Sequence, residues 1–249
     1  MTEYRHEMHK HPQTAYEEVF ASDLVASKLK DWNIPFERGY GKTGIVGVIE
    51  GRENSTGKTI GLRADMDALD IEEKSGQNWA SLTPGKMHAC GHDGHTSILL
   101  GTAKYLQETR NFDGRVVLIF QPAEEGAGGA MAMMKDGLFE KYPCDEIYGL
   151  HNWPWLETGK MAVRTGGFLA SSDTLKIDLR GKGGHAAMPH MTVDPIPVAS
   201  SIIQSMQMIL SREIDPVDTA VISITNLSAG TGAHNIIADK VSLRASIRS

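Results

Sequence analysis

Residues 115–120, RVVLIF, are apolar without a break after the first position. A strand with one wet face alternates apolar and polar residues, so an unbroken run belongs to a strand covered on both faces. Helices must then lie above and below its sheet, and the flanking sequence supplies them. Residues 94–109 carry Ile98, Leu99, Ala103 and Leu106 at helical spacing, and residues 128–138 read as a helix ending at Gly137. Residues 2–30 read as an amphipathic helix with Val19, Leu24, Val25 and Leu29 on one face, interrupted early by Pro12. GIVGVIE (44–50) and TIGLRAD (59–65), separated by the turn-like GRENSTGK, read as a hairpin or as adjacent strands, and EIYGLH (146–151) as a further strand. Strands alternating with helices give an α/β class: a mixed sheet with helices on both faces.

The pattern changes after about residue 170. Residues 172–181, SDTLKIDLRG, place Leu175, Ile177 and Leu179 on one face and Lys176, Asp178 and Arg180 on the other, the mark of an antiparallel strand with one wet face. Residues 194–213 are helical, with Val198, Ile202, Met206 and Ile209 forming the expected stripe, and residues 219–228 and 240–249 alternate again. Strand, helix, strand, strand begins a ferredoxin-like two-layer α+β unit, incomplete here because one helix cannot cover the sheet. The expected division is 1–168 and 169–249.

Composition removes several function classes. Net charge is -6 from 31 acidic and 25 basic residues, so no basic excess marks a nucleic-acid or anionic-membrane partner. No apolar run approaches the roughly 18 residues of a membrane-spanning helix, and MTEYRHEMHKHPQTAYEE is too polar for a signal peptide. Two cysteines make no disulfide scaffold and fit a reducing, cytoplasmic setting. The ten histidines are clustered; His6, His9 and His11 read as surface residues of a polar opening helix.

Four segments put a metal-capable side chain at or just past the end of an apolar strand, where α/β sheets gather their ligands: RADMD (63–67), HACGHDGH (88–95), QPAEEG (121–126) and GLHN (149–152). Cys90 and His92, two apart in an extended loop, can both reach one cation, and a thiolate with an imidazole suits Zn, Mn, Co or Ni rather than Mg or Ca. Asp93 and His95 are candidates for orienting the ligand imidazole; the bland alternative is a loop cysteine with helix-capping Asp and His. Glu124 and Glu125 repel each other unless a cation resolves the cost, one ligating while its neighbour handles a proton; the alternative is a solvated turn. Asp65 and Asp67 suit ligation or support, and His151 ends its strand. GAGGA (126–130) lacks the spacing of a dinucleotide fingerprint and lets backbone pass close to the site. In the second unit, GKGGHAAMPH (181–190) presents His185 in a glycine-rich loop, and GAHNIIAD (232–239) presents His234 and Asn235; either stretch can be a turn or can face a polarised carbonyl.

Taken together, RHEMHKHPQTAYEE, GLRADMDALDI, GKMHACGHDGHTSILLGTAKYL, LIFQPAEEG, GLHNWP, GKGGHAAMPH and AHNIIAD resemble the hippurate hydrolase / N-acyl-L-amino-acid amidohydrolase family, a branch of the aminoacylase-type dinuclear metallopeptidases. The resemblance implies metal-dependent hydrolysis of N-acyl-L-amino acids to a carboxylic acid and a free amino acid, with one or two divalent ions. It implies Cys90, His92, Glu125 and His151 as metal ligands and Glu124 as the base that activates water. His185 is implied as a lid-domain histidine that stabilises the oxyanion across a homodimer, Asn235 as a binder of the substrate carboxylate, and Asp65 and Asp67 as supporting residues. Where the family has a proline in its N-V-I-P-D stretch, this chain has Ala238. Family members also begin with a short helical segment before RHEMHKHP. They continue past RASIRS to complete the lid and supply a late histidine ligand, so the resemblance implies a C-terminally truncated copy. Two other readings stay open on these residues: an inactive or weakly metal-binding fragment, and a metallo-dipeptidase or aminopeptidase of the same superfamily.

Overall fold

In the computed structural model, which describes residues 1–249, the chain divides into two units, Met1–Glu157 and Thr158–Ser249. The expected division at 168/169 falls within an exposed stretch, residues 157–174. The first unit runs α1 (Thr2–Lys10), α2 (Val19–Asp31), β1 (Phe36–Tyr40), β2 (Gly44–Glu50), β3 (Thr59–Asp65), α3 (His92–Thr109), β4 (Arg115–Gln121), α4 (Gly129–Lys135), α5 (Leu138–Lys141) and β5 (Glu146–Gly149). Its sheet has the order β1-β2-β4-β3-β5. β4 is antiparallel to β2 and parallel to β3, which is parallel to β5.

The apolar run of β4 does what its composition demands. Val116, Leu118 and Phe120 turn to one face and pack with Val25, Leu29, Leu99 and Leu100 from α2 and α3. Val117 and Ile119 turn to the other and pack with Met133 and Leu138. The expected hairpin of 44–50 and 59–65 does not form. β4 inserts between the two strands, because the residues apolar on both sides need both a covered position and neighbours on both edges. The expected helix 2–30 is two helices; Pro12 and the left-handed Tyr16 (φ 65°) lie in the break. FERGY forms edge strand β1, which charge and a glycine had hidden from pattern reading.

The second unit runs β6 (Asp173–Arg180), β7 (Gly184–His185), a 3-10 turn (Pro189–Met191), α6 (Pro195–Arg212), β8 (Val221–Ala229), β9 (Ile236–Ile237) and β10 (Lys240–Arg248). β10 is the centre of an antiparallel sheet, β6-β10-β8, and β7 pairs with β9. Asp194 caps α6 by accepting from the Ile196 N–H at 2.9 Å, and Pro195 occupies the first turn. The expected stripe of α6 is met in part: Met206 is buried and Ile202 half-buried. Ala199 and Ile203 pack on Val241 and Leu243, whereas Val198 and Ile209 are exposed. The buried face runs through Ala199, Ile203 and Met206. No helix is long and apolar enough to cross a membrane.

Candidate metal centre

Because β3, β4 and β5 are parallel, their C-terminal ends share one edge of the sheet. Asp65 and Asp67 lie at the end of β3, Glu124 and Glu125 just past β4, and His151 just past β5. The loop into α3 brings Cys90 and His92 to the same edge.

His92, the first residue of α3, is buried. Its Nδ1 lies 3.1 Å from Asp67 Oδ1. Its Nε2 is buried without a hydrogen-bond partner. That atom faces Asp65 Oδ2 at 3.6 Å, Glu125 Oε1 at 3.8 Å and Glu124 Oε2 at 3.9 Å. Cys90 Sγ lies 3.4 Å from His151 Nε2. Asn152 makes this second pairing possible: its backbone N–H donates to His95 Nε2 at 2.9 Å and its Nδ2 donates to the Cys90 carbonyl at 3.1 Å. Gly91 must be glycine for Asn152 to come so near, since its φ is 93° and a Cβ there would sit 2.5 Å from Asn152 Oδ1.

The bond from Asn152 fixes the tautomer of His95. With Nε2 accepting, the ring proton sits on Nδ1 and is donated to Asp65 Oδ1 at 2.6 Å. The orienting role expected of Asp93 and His95 toward the ligand imidazole therefore passes to Asp67. Asp93 instead accepts from His9 Nδ1 at 2.8 Å and Arg5 Nε at 3.2 Å, pinning α1 to the start of α3. His9 is accordingly buried rather than a surface residue, and its Nε2 reaches Glu73 Oε1 at 3.3 Å. His6, by contrast, stacks on Trp79 and His11 on Phe20.

The carboxylates dominate the electrostatics of the site. Burial pushes the His92 pKa down, but the Asp67 hydrogen bond, Cys90 and Asp65 outweigh it and raise it to about 11. Asp65 is lowered to about 2: burial opposes this, and His95, His92 and Arg63 prevail. Asp67 is lowered against its burial by His92 and by the Glu125 and Glu124 backbone N–H groups. Glu124 is raised, by burial first and by the charge of Glu125 second.

Three donor groupings have their ligand atoms within 4.8 Å of one another: Cys90–His92–His151, His92–Glu124–Glu125 and Asp65–His92–His95. The last is spent, because both nitrogens of His95 are engaged. The other two combine a thiol, imidazoles and carboxylates around an orphaned buried nitrogen, and so fit a borderline divalent cation. His185 and Asn235 come together within the second unit. Ala186 N–H donates to the Asn235 carbonyl at 3.0 Å, His185 pairs with Ile236, and the His185 side chain is exposed.

Gly91, Asn152 and the Arg5–His9–Glu73 group escaped sequence reasoning. The four-residue spacing of Arg5 and His9, one helix face, was the one available signal.

Thiol, imidazole and carboxylate donors thus gather at the C-terminal ends of the parallel strands of a mixed α/β domain. The chain belongs to peptidase family M20/M25/M40, whose family model matches residues 61–244. It is 45% identical over 245 residues to the hippurate hydrolase of Campylobacter jejuni, covering 98% of this chain and 63% of that protein. It is 42% identical over 252 residues to the IAA-amino acid hydrolase ILR1-like 4 of Arabidopsis thaliana, covering 100% of this chain and 56% of that one. The crystal structure of the Bacillus subtilis YXEP protein, described as a dinuclear metal binding peptidase from the M20 family, matches with a TM-score of 0.78 at 36% identity, covering 100% of this chain and 63% of that one. The chain thus spans about three fifths of the length of the curated relatives it matches.

Proposed function

We propose that this protein hydrolyses the amide bond of N-acyl-L-amino acids, of the hippurate or N-acetyl type, with one or two divalent ions (Mn, Zn, Co or Ni) held by Cys90, His92, Glu125 and His151. A cation bound there acidifies water and polarises the amide carbonyl. Glu124 takes the proton of the attacking water and returns it to the departing amine. The observation that carries this reading is the unequal environment of two adjacent carboxylates. The Glu125 side chain is 27% exposed, whereas the Glu124 side chain is 42% exposed beside the cluster, with its pKa raised by burial and by the charge of Glu125. Asp65 and Asp67 support the site: Asp67 orients His92, and Asp65 holds His95.

In the second unit, His185 is assigned to the oxyanion and Asn235 to the substrate carboxylate, with that unit serving as lid and dimerisation domain. The exposed Val198 and Ile209 of α6 support a homodimer, and two unpaired thiols fit a cytoplasmic setting. The test is Glu124→Gln in the 249-residue chain, with metal content and hydrolysis of N-benzoyl- and N-acetyl-amino acids measured. Turnover is expected to vanish with metal content intact. Loss of metal would make Glu124 a ligand and defeat the assignment, and a parent chain without activity would favour the non-catalytic reading.

A further inference from the structure

Glu18 is a fully buried carboxylate outside the donor cluster. Its partners are neutral donors. Oε1 accepts from the backbone N–H of Tyr16 and of Ala123, each at 2.9 Å, and Oε2 accepts from the Thr43 hydroxyl at 2.6 Å. The two backbone donors share a property. Tyr16 (φ 65°) and Ala123 (φ 52°) both hold the left-handed conformation, which is disfavoured for any residue with a Cβ. One carboxylate oxygen therefore ties down two strained residues 107 positions apart in the chain.

Ala123 lies between β4 and Glu124. Its own carbonyl accepts from Gly129 N–H at 2.9 Å, and the Tyr16 hydroxyl donates to the Ala127 carbonyl at 2.9 Å. From the other side, Asp67 accepts from Glu125 N–H. The loop that carries both glutamates is thus gripped at Ala123 by Glu18 and at Glu125 by Asp67. A carboxyl group is a costly way to fill a buried site whose partners are all uncharged, and an apolar side chain would satisfy packing alone.

We infer that Glu18 is a positioning residue: by holding Ala123 in the left-handed conformation, it sets the direction in which Glu124 and Glu125 leave the end of β4. The inference rests on Glu124 being the base and Glu125 a ligand. It requires length and acceptor geometry at position 18, not charge. Glu18→Gln keeps Oε1 for both N–H groups and turns its amide toward the Thr43 oxygen. Glu18→Asp keeps the carboxyl group, but is one methylene too short to span Tyr16, Thr43 and Ala123 together.

The test measures kcat and KM on N-benzoylglycine with Mn²⁺, Mn²⁺ affinity by calorimetry, and the urea midpoint, for both variants in the 249-residue chain. Glu18→Asp is expected to lower kcat by about tenfold or more with little change in KM, since small misplacements of a reacting group cost rate steeply. It should also weaken Mn²⁺ binding by about tenfold, because Glu125 rides on the same loop. Glu18→Gln should keep both values within about threefold of the parent. Equal losses in the two variants, or a larger loss in Glu18→Gln, would mean that length and acceptor geometry do not set the loop, and would overturn the inference. Parental kcat and affinity in Glu18→Asp, or a drop in urea midpoint alone, would also overturn it. Adding Ala123→Gly to Glu18→Asp removes the left-handed penalty. Recovered kcat supports the inference, and a well-folded double variant without recovery refutes it; this pair decides the matter even if Glu18→Asp alone does not fold. A parent chain that binds Mn²⁺ but does not hydrolyse the amide sinks the functional reading by itself, and Glu18 is then judged on affinity. A parent with neither property sinks both.

Discussion

Gly91→Ala tests how the thiol–imidazole pair is assembled. At φ 93° the new methyl forces an unfavourable backbone conformation, worth about 1–2 kcal/mol. The methyl would also sit 2.5 Å from Asn152 Oδ1, so the amide must withdraw. Withdrawal breaks the Nδ2 bond to the Cys90 carbonyl and strains the N–H bond to His95, at about 1 kcal/mol for each bond lost. The expected loss of stability is therefore about 2–4 kcal/mol, read from urea unfolding. The effect on metal binding should be larger in proportion than the effect on folding. His151 directly precedes Asn152, and its Nε2 would leave its place 3.4 Å from Cys90 Sγ. Zn²⁺ or Co²⁺ affinity by calorimetry should fall by about 10–100-fold. Asn152→Ala in the same background removes the clash but not the backbone strain, so the two substitutions should be clearly non-additive. Parental metal affinity in Gly91→Ala, or simple additivity in the cycle, would refute the claim that Asn152 locks His151 to the cysteine loop.

Two further outcomes follow. Asp67→Asn removes the carboxylate that orients His92 and anchors the Glu125 N–H, so calorimetry should show metal affinity about 10–100-fold lower. His9 has its pKa raised from 6.5 chiefly by the Asp93 hydrogen bond, with burial opposing and Glu73 assisting. Its contribution to stability is therefore complete below pH 6.5 and is lost as pH climbs through the raised value; urea midpoints should fall over that window, and His9→Gln should flatten the decline.

The first unit was legible wherever a residue's chemistry was unusual for its local pattern. RVVLIF announced a doubly covered strand, and Cys90, His92, Glu124, Glu125 and His151 each stood at an apolar strand end or in a loop that local patterning left unexplained. Relations between distant segments were not legible. That β4 divides β2 from β3 depends on which strand has both faces covered, a property of the assembled sheet rather than of GRENSTGK. His9 looked solvated because its partner Asp93 lies 84 residues away. Glu18 was not singled out, since one of two adjacent glutamates within an expected amphipathic helix reads as a solvated position. The α6 stripe was right at Ile202 and Met206, which turn inward, and wrong at Val198 and Ile209, which are exposed.

Every donor grouping in the cluster contains His92. This makes it a hinge for redesign and for drift alike. The sulfur-bearing end can be altered at Cys90 or His151, and the oxygen-bearing end at Glu125, each with some independence from the other. No substitution at His92 can touch one end alone. Changes of metal preference among relatives of this chain should therefore accumulate at the two flanks, with the shared imidazole as the position that both flanks hold in place.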